Sequence, residues 1–278
     1  MIAPGHRIET MNETAGKSDS FTLAACAETL FQGLPVVERV KHIDALGFQV
    51  EIWDWTRHDI TSLAATGATF SSMTGYITGT LADDDGADEL LRTAAQSIPI
   101  AKELGIPLLN LHGTGLDDRG LPVKPCEVVT GAMWLKALHT LERIADLGEK
   151  ENITFTLENL NVAVDHPGTP FCRAEDVFAL VSSINRPGLR LLIDLYHAQI
   201  GEGNLIELCR KCMPWIGEFH IADVPGRHEP GTGEINYNGI ALALDEMGYR
   251  GTIGLECLPS GDDELALQRF RDAFTVPS

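Results

Sequence analysis

The chain has 278 residues, enough for one large domain or two small ones. It is 44% hydrophobic and 22% charged, a composition that can bury a sizeable core and excludes wholesale disorder. Its 40 acidic and 21 basic residues give a net charge of −19, and no basic stripe stands out. Because such a chain repels phosphate backbones and anionic lipid surfaces, we expect neither a nucleic-acid partner nor a membrane partner.

From Phe21 onward, short apolar runs alternate with longer amphipathic runs. The short runs predict β-strands at residues 22–26, 48–53, 68–73, 107–112, 153–158, 189–194, 216–221 and 252–256. The longer runs predict helices at residues 36–46, 60–65, 87–104, 128–149, 174–183, 205–213, 240–247 and 264–274. The polar, aperiodic residues 1–20 are expected to form a disordered lead-in, with either Met1 or Met11 as the first residue.

This alternation predicts an α/β fold built from βαβ units around a parallel sheet. Eight such units between residues 21 and 278 match a single (β/α)₈ TIM-barrel domain, with its active site at the C-terminal ends of the strands. The alternative is an open, doubly wound sheet. That fold commonly carries a glycine-rich dinucleotide loop after its first strand, whereas this chain continues there with ACAETLFQG.

The six cysteines show no disulfide-framework spacing, which favours a reducing, cytoplasmic location. Cys209 and Cys212 form a CxxC pair within a segment that reads as helical. One such pair supplies only two of the four ligands of a structural zinc site, so we interpret them as ordinary helix cysteines. No run of 18 or more apolar residues occurs, so we expect no transmembrane helix, and the polar N-terminal residues do not predict a secretory signal.

Polar residues stand at the carboxyl ends of four consecutive predicted strands. They are Glu158, Asp194, His220 and Glu256. In a barrel these four side chains would meet at one mouth, where three carboxylates repel one another unless a divalent cation lies between them. Carboxylate oxygens with one imidazole suit Mn²⁺, Mg²⁺ or Co²⁺ better than a closed structural zinc site. The alternative is that each residue is simply a hydrogen-bonded polar group at a strand end.

Further polar residues are predicted to face the same mouth and to bind substrate: His197, Arg227, His112 and Glu51. His197 would enter from the loop that follows Asp194, or else cap a helix. Arg227 belongs to the glycine- and proline-rich loop 220–237, where a guanidinium can neutralise an oxyanion or simply remain solvated. For the aromatic residues Phe31, Trp53 and Trp55 we favour core packing over a wall of the substrate pocket.

Four segments carry a resemblance to a known family. They are LENLN at 157–161, IDLYHAQ at 193–199, HIADVPGRHEPGTGEINY at 220–237 and GLECLP at 254–259. Together they resemble the hydroxypyruvate isomerase family of the xylose isomerase-like TIM-barrel superfamily, over the chain from about Phe21 onward. His220 is more similar to the ketose 3-epimerases, since hydroxypyruvate isomerases often have Gln there.

The resemblance implies a metal-assisted isomerase of a small sugar or keto acid. Glu158 and Glu256 would be metal ligands and the acid–base pair, with Asp194 and His220 completing the metal shell. His197 and Arg227 would hold the substrate, and a homo-oligomer (dimer or tetramer) is common among such barrels. Four alternatives remain: a ketose 3-epimerase, a lyase or dehydratase that uses the same enolate for β-elimination, a metal-dependent endonuclease, and a barrel that binds without turnover.

Overall fold

A computed structural model describes residues 21–276, so the predicted lead-in at residues 1–20 lies outside the described residues. Its strands close into one parallel barrel in sequence order, with β8 paired to β1. They are β1 (Thr22–Cys26), β2 (Gln49–Ile52), β3 (Phe70–Thr74), β4 (Leu108–Leu111), β5 (Thr154–Glu158), β6 (Leu189–Asp194), β7 (Ile216–Ile221) and β8 (Thr252–Leu255). The predicted (β/α)₈ barrel is confirmed, and the open sheet is excluded because the sheet closes on itself.

Helices follow the strands along the chain, as the sequence pattern predicts. They are α1 (Val36–Ala45), α2 (Ile60–Ala64), α3 (Asp84–Leu104), α4 (Gly131–Glu151), α5 (Ala174–Ile184), α6 (Leu195–Gly201), α7 (Leu205–Cys212), α8 (Tyr237–Glu246) and α9 (Asp263–Ala273). Short 3₁₀ turns occur at Trp55–Arg57 and Met213–Trp215. No helix within residues 21–276 is long and apolar enough to span a membrane.

Helix α6 is not predicted by the sequence pattern, which indicates a loop after β6. The helix begins directly after the strand, because the Asp194 side chain caps its first turn. Asp194 Oδ1 accepts hydrogen bonds from the backbone N–H groups of Tyr196 and His197 at 2.7 and 3.1 Å. His197 therefore lies on a helix rather than on the predicted loop. A helix of only seven residues is too short to show a clear periodicity.

The strands are buried on both faces, which explains why several of them are apolar throughout. Leu191, Leu192 and Ile193 of β6 are all fully buried, although consecutive residues point to opposite faces. One face packs inside the barrel and the other against the helices. Cys209 and Cys212 are free thiols buried on α7, against the outside of this barrel.

Candidate active site at the barrel mouth

A cavity of about 460 Å³ opens where the carboxyl ends of the strands meet. Glu158, His220 and Glu256 line it, and Asp194 lies beside them. These four residues come from β5, from β6, from β7 and from the position directly after β8. The closed barrel therefore brings the predicted metal ligands to one place, although they are far apart along the chain.

The four residues form a buried cluster in which each offers a ligand atom within 4.8 Å of the others. His220 Nδ1 lies 3.5 Å from Glu158 Oε1 and 3.7 Å from Glu256 Oε2, and it has no hydrogen-bond partner. Atoms that bind one ion at about 2.1 Å lie roughly 3–4 Å from one another, which agrees with these separations. A buried, unpartnered imidazole nitrogen facing carboxylates fits a divalent cation.

The hydrogen bonds that cap α6 also orient the Asp194 carboxylate within this cluster. Its Oδ1 is occupied by the helix N–H groups, which leaves Oδ2 toward the cavity. Oδ2 lies 3.6 Å from His197 Nε2 and 3.9 Å from Arg227 Nη2. One carboxylate therefore begins a helix with one oxygen and remains available as a ligand with the other.

The two glutamates are held by different partners. Glu158 Oε2 accepts hydrogen bonds from His112 Nε2, at 2.9 Å, and from Asn110. Glu256 Oε1 accepts a 2.6 Å hydrogen bond from Trp53 Nε1, and Glu256 Oε2 is paired with Arg227. These contacts fix the orientation of both carboxylates at the cavity before any substrate binds.

The far side of His220 faces two more buried carboxylates. His220 Nε2 lies 3.4 Å from Glu51 Oε2 and 4.0 Å from Glu218 Oε2. Glu218 precedes His220 by two positions on β7, so both side chains point into the barrel. A carboxylate behind a metal-binding imidazole orients the ring and increases its basicity.

The pKa values show that negative charge dominates the cluster. Burial raises the pKa of Asp194 to about 7; Arg227 opposes the rise, and the carboxylates of Glu158 and Glu256 add to it. Burial alone would lower the pKa of His220, but Glu51, Glu158 and Glu256 raise it well above its usual value. The same excess of negative charge that favours protonation of Asp194 and His220 would be offset by a bound divalent cation.

Comparisons with known proteins agree with this architecture. A sequence model described as xylose isomerase-like TIM barrel matches residues 37–272. The chain belongs to that family. A protein from Mus musculus named putative hydroxypyruvate isomerase is 31% identical over 177 residues, which are 63% of this chain and 62% of the mouse protein. A 2-oxo-tetronate isomerase from Pectobacterium atrosepticum is 37% identical over 127 residues, 46% of this chain and 48% of that protein.

A solved structure also shares the fold over most of the chain. The crystal structure of a protein from Brucella melitensis named AP endonuclease, family 2, is 27% identical and has a TM-score of 0.79. It aligns over 90% of this chain and 98% of its own. The sequence matches to the mouse and Pectobacterium proteins span less than two thirds of those relatives' length. The match over residues 37–272 thus establishes membership of the xylose isomerase-like TIM-barrel family.

The structure brings every predicted site residue of this family member to one region. His112, His197 and Arg227 line the cavity, and Glu51 lies at its base against His220. Their roles, and those of the four candidate ligands, stay predictions. The interpretation of Trp53 as a core residue was wrong: its side chain lines the cavity and is 41% exposed. Trp55 and Phe31 do pack against the core.

Several residues in and around the cavity are not indicated by the sequence reasoning. Asn110 contacts Glu158, and Asn161 and His166 lie around His197. The spacing of Asn110 and His112 carried a signal, because residues two apart on a strand face the same side. Asn161 and His166 belong to the irregular segment between β5 and α5, where no periodicity shows which way a side chain points.

Proposed function

We propose that this protein is a divalent-metal-dependent isomerase that transfers a proton next to a carbonyl of a small sugar or keto acid. The observation that carries the proposal is the buried set of Glu158, Asp194, His220 and Glu256 beside an open cavity. The names of the relatives, hydroxypyruvate isomerase and 2-oxo-tetronate isomerase, support a small hydroxylated keto acid as substrate. A homo-oligomeric state and a cytoplasmic location remain predictions.

These four residues would hold the ion, with Mn²⁺, Mg²⁺ or Co²⁺ as candidates. When bound, the ion supplies a Lewis acid that stabilises negative charge developing on the substrate's carbonyl oxygen. Arg227 would add to this stabilisation as a hydrogen-bond donor beside the ligand set, and His197 would hold another part of the substrate. Because all of these groups are already held by neighbours, little reorganisation would be needed during the reaction.

Glu158 and Glu256 are suited to move the proton. Burial alone would raise the pKa of Glu158, yet the hydrogen bond from His112 and the nearby His220 ring keep it well below its usual value, so the carboxylate is ionised at neutral pH. The two carboxylates approach the mouth from different sides, because β6 and β7 separate their positions in the barrel. One glutamate would remove the proton from carbon, leaving an enediolate, and either glutamate would return a proton to the neighbouring carbon, while the hydroxyl proton moves to the former carbonyl oxygen.

The separate placement of the two glutamates also favours a second candidate, epimerisation. If one carboxylate removes the proton from one face of a carbon and the other returns a proton to the opposite face, the product is an epimer. An isomerase and an epimerase would therefore use the same residues. The chemical identity of the product separates them.

An endonuclease activity, which the name of the Brucella protein states for that protein, is disfavoured for this chain. The net charge of −19 would repel a nucleic-acid backbone. The cavity walls also carry carboxylates of their own, such as Glu28 and Asp117.

The test is metal-dependent hydrogen exchange. The purified protein is stripped with a chelator, loaded with Mn²⁺ and incubated in D₂O with hydroxypyruvate, 2-oxo-tetronate and a panel of ketoses. We expect about one ion per chain and deuterium uptake at a carbon beside the carbonyl. Glu158→Gln and Glu256→Gln should reduce the rate by about 10²–10⁴-fold, as expected when a positioned acid–base group is lost.

Glu234→Gln is the matched control, since Glu234 lies in the loop after β7 and bonds Gln199 rather than the cluster. This variant should bind the ion and exchange normally. Products of equal mass indicate isomerisation or epimerisation, whereas loss of water indicates the β-eliminating alternative. A protein that binds no stoichiometric ion and exchanges no hydrogen after Mn²⁺ addition would contradict the proposal.

A further inference from the structure

Two histidines at one corner of the cavity have opposite hydrogen-bonding capacities. His197 lies on α6, and His166 lies in the segment between β5 and α5. Their rings meet edge to face, with centroids 5.1 Å apart. Both line the cavity, and the Nε2 atom of each is buried without a hydrogen-bond partner.

The protonation of His197 is decided by Asn161. The Asn161 amide cannot be turned over, because its Oδ1 accepts from the backbone N–H groups of Val164 and Asp165 at 2.9 and 3.1 Å. Its Nδ2 therefore donates to His197 Nδ1 at 2.7 Å, and also to the Asp165 carboxylate at 2.6 Å. Since Nδ1 of His197 accepts a hydrogen bond, the ring proton is on Nε2, which makes Nε2 a donor.

The protonation of His166 is decided by a backbone carbonyl. His166 Nδ1 lies 2.6 Å from the oxygen of Gly120, which can only accept. The ring proton is therefore on Nδ1. Burial lowers the pKa of His166, so the ring stays neutral near pH 7. Its buried Nε2 is consequently an acceptor.

We propose that Asn161 is a positioning residue that holds His197 as an Nε2–H donor, and that His197 and His166 together form a subsite for one hydroxyl group of the ligand. The hydroxyl oxygen would accept from His197 Nε2–H, while its proton would be donated to His166 Nε2. A hydroxyl can do both at once, whereas a carboxylate only accepts and a methyl group does neither.

This inference rests on the proposed function only in that the ligand is a hydroxylated small molecule. A subsite that pairs two buried groups with one hydroxyl discriminates strongly, because an analogue without that hydroxyl leaves both nitrogens unpaired. It would select among substrates of similar size by the presence of that hydroxyl.

The first arm of the test measures the two tautomers in the full-length, Mg²⁺-loaded protein by long-range proton–nitrogen NMR of the histidine rings. Signals are assigned by their loss in His166→Gln and His197→Gln. We expect a proton on Nε2 of His197 and on Nδ1 of His166. The opposite tautomer at either ring would overturn the proposal.

An exchange of two side chains tests the role of Asn161. In the double variant Asn161→Asp with Asp165→Asn, the hydrogen bond between positions 161 and 165 can be kept with reversed direction, and the hydrogen bond to the Val164 N–H is retained. The new carboxylate can only accept, so Nδ1 of His197 should acquire a proton. Asp165→Asn alone is the matched control and should leave the His197 tautomer unchanged. An unchanged tautomer in the folded double variant would show that Asn161 does not position this ring.

The second arm tests the hydroxyl with two probes. Erythritol, a small polyol, should shift the Nε2 signals of both histidines in the unmodified protein. Dimethyl sulfoxide, which accepts but cannot donate, should shift His197 alone. No shift from erythritol up to its solubility limit would overturn the hydroxyl assignment. Neither arm requires turnover, so the two proposals can fail separately. If the isomerase proposal alone were wrong, both histidines would show the expected tautomers, but no hydrogen exchange would occur in D₂O.

Discussion

The carboxylate of Glu51, on β2, lies directly against Gly254 of β8, so that a Cβ at position 254 would overlap the carboxylate oxygens. Strand β1 lies between these two strands, and the contact therefore crosses the barrel interior. Glu51 in turn lies 3.4 Å from His220 Nε2. Because Gly254 has no side chain, the Glu51 carboxylate has room to lie behind His220, the candidate metal ligand.

Gly254→Ala is expected to destabilise the protein by about 1–3 kcal/mol, the range for overpacking a filled interior. It should also weaken divalent-ion binding, because Glu51 must move away from His220. Urea unfolding and calorimetric ion titration would measure the two effects. Gly131→Ala is the control: it begins α4 with no atom near the added methyl and should change stability by less than about 0.5 kcal/mol. Equal unfolding free energies and equal ion affinities in the two variants would contradict the close contact between Gly254 and Glu51.

Arg227→Met should move the acid limb of the pH profile of kcat/KM to higher pH. Burial would raise the pKa of Glu256, but Arg227 and His220 outweigh it and hold that pKa below its usual value. Without the guanidinium the carboxylate takes up a proton at a higher pH, so the ionised base is lost earlier as the pH falls. Arg250→Met, which removes an exposed arginine paired with Asp245, should leave the limb in place. An unmoved limb in the Arg227 variant would show that Glu256 ionisation does not control the rate.

Tyr76→Phe should affect both stability and the site. The Tyr76 hydroxyl donates to the backbone oxygen of Thr114 at 2.7 Å, and its oxygen lies 3.1 Å from His112 Nδ1. Its loss leaves a buried carbonyl unpaired, at a cost of about 1–3 kcal/mol in unfolding free energy. The substitution also removes a contact of the His112 ring, whose Nε2 is hydrogen-bonded to Glu158.

Tyr249→Phe provides the comparison for Tyr76→Phe, since its hydroxyl also donates to a backbone oxygen at 2.7 Å, that of Thr252. Both variants should lower the urea midpoint to a similar extent. Only Tyr76→Phe should lower kcat in the exchange assay, because Tyr249 lies outside the cavity lining. A kcat loss of the same size in both variants would reduce the role of Tyr76 to general stability.

The stability contributed by Glu229 should depend on pH. Burial would raise its pKa, but hydrogen bonds from Ser260 and Arg269 lower it below 4.5. Because the folded-state pKa is depressed, the stabilisation is complete above about pH 4.5 and is lost as the pH falls through the lower, folded value. The difference in unfolding free energy between the unmodified protein and Glu229→Gln should therefore be constant near neutrality and shrink in acid. Urea unfolding at a series of pH values measures it, and a difference that persists unchanged in acid would refute the assignment.

The fold could be predicted because a buried parallel strand leaves a strong mark on the sequence. In residues 189–194, for example, the consecutive residues 191–193 are apolar on both faces of the strand, and amphipathic helices alternate with such runs along the chain. Helix α6 could not be predicted, because a seven-residue helix capped by the last residue of a strand shows no periodicity of its own.

The order of the barrel elements and the four strand ends that converge follow from the sequence alone. Because the strands of the barrel are parallel, their carboxyl ends lie at the same edge of the sheet. The last polar residue of each strand is therefore expected at that edge. Three relationships depend on the folded structure: Trp53 bonds Glu256, Gly254 leaves room for Glu51, and Asn161 sets the proton of His197. These relationships join segments distant along the chain through loops and across the barrel, where contact depends on how the whole sheet closes and not on local spacing.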